Sequence, residues 1–353
     1  MSAIRRAERF CARFGLKAPI LLAPMAGVSA PELAATVMQA GGMGACGVLM
    51  MSPEAILDWA AKVRAVADGP FQLNNWVRDP APVRDPAHEA RVRAFLGDWG
   101  PAAPAEAADG TPPDFASQCD AMLQAAPVAI SSVMGLYAPA FVTAMKACGI
   151  AWFAHVSSVA EARAAEAAGA DVIVAQGTEA GGHRGCFDAL ADERRAAGLI
   201  ALLPAVVDAV NAPVVAAGAL ADGRGVAAAL ALGASAAMIG TGLLRSPEAA
   251  IDPAWAAGLA RAGPDDTLVS RAFSGRAGRS LATAYVLAAT TPDAPAPAPY
   301  PVQRGLTAAM RRAGAGDLDR LQAWSGQSAC LARAAPAGRI VREAWAEAKA
   351  LLA

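Results

Sequence analysis

The segment Gln176–Gly185 holds the densest group of side chains in the sequence that could do chemistry. It combines an amide, the carboxylate of Glu179, the pair Gly181 and Gly182, and the imidazole of His183. An amide can hydrogen-bond the edge of a heterocycle, and glycines let a backbone approach a flat ligand. An imidazole can act as a base near neutral pH. The segment therefore predicts a ligand-binding loop whose candidate base is His183.

Two histidines compete for the role of base, and each also has a simpler interpretation. His183 could equally be a solvated loop residue. His155 lies within the apolar run Trp152–Val156, where a hydrogen-bonded structural histidine or a pocket-lining one is at least as frequent as a base. The sequence therefore favours His183 without excluding His155.

Glycines come directly after the last two apolar runs of a repeating pattern in the chain. Gly218 and Gly240 would let backbone N–H groups approach a phosphate, and the dipole of a succeeding helix would favour the anion. Thr241 could add a hydroxyl group. These positions predict a phosphate site, and the alternative is that the glycines serve only tight turns.

The elements that must position these groups come from a recurring unit. An alanine-rich amphipathic stretch ends at a glycine and is followed by a short apolar run, as in Phe141–Gly149 before Ile150–Val156. The same unit recurs at Leu33–Gly41, Ala160–Gly169 and Val226–Gly233. A glycine at this position suits a helix C-terminus, and a run that is apolar on both faces suits a buried parallel strand.

Eight runs are candidate strands, and helical patterns lie between most of them. They are Ile20–Pro24, Gly44–Val48, Phe71–Asn74, Val128–Val133, Trp152–Val156, Val172–Gln176, Val214–Ala217 and Ala236–Ile239. Eight such repeats predict an α/β fold, a (β/α)8 TIM barrel with its active site at the C-terminal ends of the strands. A doubly wound sheet is the alternative, but no GxGxxG follows the first strand.

Two segments depart from the repeat. Residues 79–114 are rich in proline, alanine and charge, which predicts an insertion after the third strand. After Arg245 the strand pattern stops, and the pattern over residues 245–353 is mainly helical apart from a proline-alanine stretch at 291–301. We therefore expect a barrel over residues 1–244 and a helical C-terminal cap over 245–353 that packs on it.

Composition excludes several classes of protein. The 353 residues carry a net charge of −1 and no basic stripe, which argues against a nucleic-acid partner. Six cysteines form no CxxC pair and histidines number three, so neither a disulfide framework nor a metal site is expected. Residues 225–244 are uncharged, but Gly233 and Gly240 break them into a helix and a strand, so no membrane span is expected. These features favour a cytoplasmic protein, and a homodimer is left open.

Several stretches resemble the nitronate monooxygenase family, formerly called 2-nitropropane dioxygenases, which are FMN-dependent barrels. The resemblance covers about residues 16 to 342, and the Glu179-Ala180-Gly181-Gly182-His183 motif is its most specific part. The other matching stretches are Pro19–Gly27, Ala40–Gly44, Ala168–Asp171, Gln176–Gly185, Ala217–Gly223, Met238–Thr241, Phe273–Arg276 and Trp324–Gln327.

The resemblance implies a cofactor, a reaction and site residues. His183 matches the family's catalytic base, which would remove the α-proton of a nitroalkane to give a nitronate. The nitronate would reduce FMN by one electron, and O2 would complete its conversion to a carbonyl compound and nitrite. The positions that match FMN contacts are Pro24, Met25, Asn74, Gln176, Gly181, Gly218, Met238, Ile239, Gly240 and Thr241.

Two turns differ from the family pattern and leave the substrate open. The chain has Met134-Gly135-Leu136-Tyr137 after the fourth strand and Asn74-Asn75-Trp76 after the third, and both should face the reactive side of the flavin. An FMN-dependent enoyl-ACP reductase or an NAD(P)H-dependent flavin reductase is therefore one alternative. A flavin-binding protein without turnover is the other.

Overall fold

The computed structural model describes residues 1–189, 193 and 195–353, and its centre is a sheet of eight parallel strands. The described residues contain eleven strands, of which eight form this sheet and β7, β10 and β11 form a second one. In chain order they are β1 (Ile20–Leu22), β2 (Gly44–Gly47), β3 (Phe71–Trp76), β4 (Ala129–Val133), β5 (Ala151–Val156), β6 (Val172–Gln176), β7 (Gly182–His183), β8 (Val214–Ala217), β9 (Ala236–Ile239), β10 (Thr267–Ser270) and β11 (Gly278–Leu281). The large sheet runs in the order β1-β9-β8-β6-β5-β4-β3-β2.

The two ends of this sheet meet, so it is a barrel. A parallel bridge joins Leu21 of β1 to Met43, which directly precedes β2. There the N–H of Leu22 donates to the carbonyl of Met43 at 2.9 Å, and the N–H of Met43 donates to the carbonyl of Ile20 at 3.0 Å. The prediction of a (β/α)8 barrel is confirmed, and the doubly wound sheet is excluded.

Helices alternate with the strands, as the repeating unit predicted. Those described are α1 (Ala3–Phe14), α2 (Pro31–Gln39), α3 (Pro53–Val66), α4 (Pro86–Gly97), α5 (Phe115–Gln124), α6 (Pro139–Ala147), α7 (Val159–Ala167), α8 (Leu199–Ala209), α9 (Gly223–Ala231), α10 (Pro253–Arg261), α11 (Ala284–Ala288), α12 (Val302–Leu306), α13 (Ala308–Ala313) and α14 (Ala337–Leu352). The glycines predicted to end four helices, Gly41, Gly149, Gly169 and Gly233, all have positive φ between 70° and 109°. Left-handed backbone at these glycines ends each helix before the next strand.

Side chains alternate between two buried layers along each barrel strand. Leu21, Phe153 and Met238 belong to the cluster inside the barrel, whereas their neighbours Leu22 and Ile239 belong to the cluster between strands and helices. Both faces of every strand are therefore buried, which explains why the strands read as continuous apolar runs.

The N-terminal helix closes one end of the barrel. Phe10 and Phe14 of α1 join the interior cluster, and their rings lie 6.4 and 5.2 Å from that of Phe153. Because α1 fills the end where the strands begin, the end where they finish is the one left for a site.

The insertion after β3 contains regular structure and packs on the C-terminal part of the chain. Residues 79–114 include α4 and a 3-10 helix at Ala105–Asp109. Val92 and Leu96 of α4 share a buried cluster with Phe273, Tyr285 and Met310. The insertion and the C-terminal segment thus share one hydrophobic cluster and pack together.

The C-terminal segment contains strands that the sequence did not indicate. β10 and β11 pair antiparallel, and β11 also pairs with β7, so that Gly278 lies opposite His183. The expectation that the strand pattern stops after Arg245 was therefore wrong. The physical reason is that β11 reads Gly-Arg-Ser-Leu and has neither an apolar run nor an alternation.

The last helix returns to the barrel. α14 packs against α9 and α2, and its Ile340, Val341 and Ala344 lie in the cluster between strands and helices. The carboxylate of Glu347 accepts the N–H of Gly223 at 2.9 Å, which caps the first turn of α9. A division of the chain at residue 244 stays an interpretation, since α14 shares the barrel's core.

A substitution pair on α14 tests its contribution to the core. Ile340 is 1% exposed and Leu351 is 58% exposed. We expect Ile340→Ala to lower the free energy of unfolding by about 2–5 kcal/mol, because it opens a cavity beneath the helix. Leu351→Ala should change it by less than about 0.5 kcal/mol. Urea unfolding measures both, and equal effects would show that α14 is not part of the core.

Candidate active site

A cavity of about 260 Å³ opens where the barrel strands end. The C-terminal segment contributes Trp255, Arg304, Gln322, Trp324 and Ser328 to its wall. Ten of the eleven residues predicted for the site also line it, namely Pro24, Met25, Asn74, Gln176, Gly181, His183, Gly218, Met238, Gly240 and Thr241. The structure therefore brings the predicted residues together at the C-terminal ends of the strands, apart from Ile239.

Ile239 does not line the cavity because of the alternation along β9. Met238 points into the barrel, so the side chain of Ile239 points outward and is fully buried against the helices. Its carbonyl accepts the N–H of Ala23 at 2.9 Å. A cofactor contact at Ile239 stays a prediction and would have to be made by backbone atoms.

Gln176 holds the loop that carries His183. Its Nε2 donates to the carbonyl of His183 at 3.1 Å, and its Oε1 accepts the N–H of Gly185 at 2.8 Å. Gln176 thus bonds the backbone of its own loop at both ends of the amide. This role differs from the expected bond to a ligand edge and leaves one N–H and one lone pair for a ligand.

The His183 ring lies between two tryptophans and one hydroxyl group. Its centroid is 4.7 Å from the rings of both Trp76 and Trp324, and its Nε2 is 2.8 Å from the Oγ of Ser274. The backbone of His183 is held by the pairing of β7 with β11. Packing, pairing and hydrogen bonding therefore fix the ring at one place in the cavity wall.

The electrostatic surroundings keep His183 uncharged. Loss of hydration, together with the smaller effect of the positive charges of Arg276 and Arg304, lowers the pKa of His183 to about 3. Arg276 is paired with Asp79 at 2.7 Å. For Arg304, no ion pair exists with any residue in the described part of the chain. A neutral imidazole at pH 7 can accept a proton, which a base requires.

A close backbone approach explains one glycine of the cavity wall, and a positive φ angle explains another. A Cβ on Gly181 would lie 2.5 Å from the nitrogen of Gly326, so this glycine lets the 325–326 segment pack on the loop. Gly218 has φ +129°, and Ala219 after it has φ +51°. Ala219 is an L-residue in a left-handed conformation within the cavity wall, which is typical of a strained functional turn.

The turns after β8 and β9 lead into different elements. After Gly218 the chain enters the nine-residue helix α9, whose dipole points toward the turn. After Gly240 comes only a 3-10 turn at Thr241–Leu243. A helix therefore follows only one of the two glycines, and its first N–H groups are already bonded by the carboxylates of Asp222 and Glu347. The Oγ1 of Thr241 accepts the N–H of Gly326 at 2.9 Å, which ties the C-terminal segment to β9.

Besides Asn74, each of the two unusual turns sends one side chain to the cavity. Trp76 and Met134 line it. Asn75 points to the helices, where its amide donates to Oε1 of Gln118 at 3.0 Å. Tyr137 is buried outside the barrel and donates to the carbonyl of Ser131 at 2.9 Å. Trp76 and Met134 are therefore the residues of these two turns that depart from the family pattern and shape the pocket.

Reasoning from the sequence missed several residues that line the cavity or contact His183. Ser274 and Trp324 lie in two stretches that carry the family resemblance, so that signal could have indicated them. Arg304 lies on the short helix α12 and Gln322 lies outside regular structure, and no local sequence pattern indicated either residue. Their approach depends on how the C-terminal segment folds back over the barrel.

The fold and the cavity together define a TIM-barrel protein with a candidate active site at the ends of its strands. Comparisons with known proteins give the family. The family model described as nitronate monooxygenase matches residues 8–347. The nitronate monooxygenase of Paraburkholderia phytofirmans is 37% identical over 343 residues, which are 95% of this chain and 93% of that protein. The chain belongs to the nitronate monooxygenase family, a family of flavin oxidoreductases.

Solved structures agree with this assignment. A nitroalkane oxidase from Streptomyces ansochromogenes superposes with a TM-score of 0.86 at 33% identity, covering 95% of this chain and 97% of that one. FabK from Thermotoga maritima superposes with a TM-score of 0.74 at 26% identity, covering 98% and 96%. The chain is thus an oxidoreductase. In the described residues, no helix is both long and apolar enough to cross a bilayer.

The two cavity histidines predict how stability depends on pH. Burial lowers the pKa of His155 to about 4, and that of His183 is lowered to about 3. In the unfolded chain both titrate near ~6.5, so below that pH the unfolded state binds more protons than the folded state. The free energy of unfolding should fall from pH 6.5 to pH 4, by up to about 1.4 kcal/mol per pH unit for each histidine.

Urea unfolding at pH 7, 6 and 5 measures this slope. In His183→Gln one of the two groups is absent, so the decrease should be shallower by up to half. A slope that does not change in this variant would show that His183 titrates normally in the folded protein.

Proposed function

We propose that the protein is an FMN-dependent enzyme that oxidises alkyl nitronates with O2 to a carbonyl compound and nitrite, and that also accepts nitroalkanes. The observation that carries this proposal is the position of His183, whose ring is held in the wall of a cavity that Arg304 also lines. A neutral base suits removal of a weakly acidic C–H proton, and a cation suits the anion that this produces.

Hydrogen bonds around Ser274 support one nitrogen of His183 as the base. The Ser274 hydroxyl donates to the carbonyl of Arg276 at 3.2 Å, and its oxygen accepts the N–H of Arg276 at 3.3 Å. With the hydroxyl hydrogen on that carbonyl, the Ser274 oxygen accepts the N–H of the Nε2-protonated tautomer of His183, 2.8 Å away. Nδ1 is left unprotonated, and within the described residues it has no partner. We therefore assign proton removal to Nδ1.

The residue types of the cavity fit a flavin mononucleotide. FMN, when bound, would supply the electron acceptor and the site of reaction with O2. We propose that Gly218, Gly240 and Thr241 hold its phosphate end, since all three line the cavity and the two glycines would let a phosphate approach backbone N–H groups. The remaining proposed contacts are Pro24, Met25, Asn74, Gln176, Gly181, Met238 and the backbone of Ile239.

Three further properties belong to this proposal. The substrates are small molecules and O2. We place the protein in the cytoplasm on the basis of its cysteine pattern. A homodimer stays a prediction that sedimentation can test.

The cofactor can be tested on the purified protein. We expect a yellow protein with one noncovalent FMN, because Gly218 and Gly240 offer one phosphate site and no second site for an adenylate. Heat denaturation followed by chromatography identifies the released flavin. Release of FAD, or of no flavin from a colourless protein that also fails to bind added FMN, would contradict the prediction.

Replacement of His183 separates the two kinds of substrate. His183→Asn should bind FMN with a nearly normal spectrum. With a neutral nitroalkane, kcat/KM should fall roughly 10²–10⁴-fold, because general-base catalysis is lost. With preformed nitronate it should change little, since no proton has to be removed. Nitrite formation measures both rates, and His88→Asn on α4 is the matched control.

The outcomes distinguish the proposed roles. Equal losses on both substrates would make His183 a binding or structural residue. No loss on either would move the base elsewhere, with His155 next. If nitronates give no nitrite, anaerobic bleaching of the flavin by NAD(P)H, with enoyl thioesters as acceptors, would indicate a reductase. Bleaching by neither would indicate a flavin-binding protein.

A further inference from the structure

His155 is a buried polar residue at the cavity floor whose ring has no hydrogen-bond partner in the described part of the chain. It is 6% exposed, and its Nε2 is buried without a partner. The residue nevertheless lines the cavity. A buried polar atom without a partner carries a free-energy cost, so it indicates a missing partner.

The alternation along β5 directs His155 into the barrel. Phe153, two residues earlier, lies in the interior cluster, and Val156 lies in the outer one. His155 is in register with Val174 of β6, which also points inward. The ring of His155 therefore lies at the top of the barrel interior, directly beneath whatever occupies the cavity.

Neighbouring polar side chains at this level are already engaged. The amide of Asn74 donates to Oγ of Ser131 at 2.9 Å and to its carbonyl at 3.2 Å. Both ends of the Gln176 amide bond the 183–185 loop. Neither residue turns to His155, so the missing partner has to come from the cavity itself.

The charge state of the ring limits what that partner can be. Burial lowers the pKa of His155, so the imidazole is neutral at pH 7 and offers one donor and one acceptor. An isoalloxazine ring carries several hydrogen-bond acceptors, at two carbonyl oxygens and two ring nitrogens, and a single N–H donor. The donor of the imidazole is thus the group that such a ring is best able to satisfy.

We propose that His155 is a cofactor-binding residue whose imidazole donates a hydrogen bond to an acceptor of the flavin ring and so raises the reduction potential of the flavin. This inference rests on the proposed binding of FMN. Reduction increases the negative charge on the acceptors of the ring, so a donor stabilises reduced flavin more than oxidised flavin. His155 is therefore assigned to the cofactor and not to proton removal from the substrate.

Two variants of His155 and one control test the proposal. His155→Phe keeps a ring of similar shape and removes both nitrogens, whereas His155→Gln keeps a donor. Val174→Ala loosens the packing beside the ring and lies outside the cavity lining. The dissociation constant of FMN and the midpoint potential are measured for each protein as the holoenzyme at pH 7.

We expect His155→Phe to bind oxidised FMN about tenfold more weakly, the size of one lost hydrogen bond. It should bind reduced FMN about a further tenfold more weakly, which lowers the two-electron midpoint potential by about 30 mV. His155→Gln should bind within about threefold of the unsubstituted protein. Val174→Ala should leave the potential unchanged.

A measurement without substitution covers the case in which a variant does not fold. The chain has three histidines, so selective ¹⁵N labelling gives few ring signals. On reduction of bound FMN under anaerobic conditions, the ring nitrogens of His155 should shift as its hydrogen bond strengthens. His88, which lies on the surface helix α4, should not shift.

These results test the role of His155 independently of whether the protein oxidises nitronates. Unchanged FMN affinity and potential in a folded His155→Phe would overturn it, and so would ¹⁵N signals of His155 that ignore reduction. An equal loss in Val174→Ala would make the effect one of packing and would also overturn it. Failure to form nitrite would count against the proposed reaction alone, whereas failure to bind FMN would refute both.

Discussion

The structure depends on burying both faces of eight short parallel strands. In a closed barrel every second side chain of a strand must fill the interior, and the residue between must pack on a helix. The side chains available to a ligand are then those two residues beyond the last interior side chain of a strand. His155 follows Phe153 in this way, and Gln176 follows Val174. The inward and outward alternation of side chains along each strand therefore decides both which residues fill the core and which residues reach the site. A slip of one residue would exchange Gln176 for Ala175.

The candidate base, His183, is positioned by both halves of the chain. His183 is carried by a loop from β6, but its ring is oriented by Ser274 and Trp324, and its backbone pairs with Gly278. Gln176 holds the same loop from the barrel side. Loss of hydration at this junction is the main reason that His183 stays neutral. Docking of the C-terminal segment thus creates the chemistry as well as the cavity.

The sequence predicted most where the physical constraint was strongest. β6, β8 and β9 have the predicted bounds because both of their faces are buried and the runs are continuously apolar. β3 was predicted to end at Asn74 but continues through Asn75 and Trp76, because the sequence prediction ended the strand where its apolar run ended. β10 and β11 were missed because they pair through backbone atoms, and Arg279 of β11 bonds carbonyls of Thr178 and Thr267. The cavity residues from the barrel could be inferred from strand ends, whereas Arg304 depends on tertiary folding that no local pattern records.

The position of α14 also has a consequence for how the protein is made. α14 covers the groove between α9 and α2, and apolar side chains of all three helices belong to one buried cluster. During translation the eight barrel strands emerge long before Ala337–Leu352. A ribosome-bound chain therefore has a complete set of strands with one apolar groove uncovered until synthesis of α14 ends. The apolar side chains that α14 buries in the finished fold stay exposed to solvent during that interval.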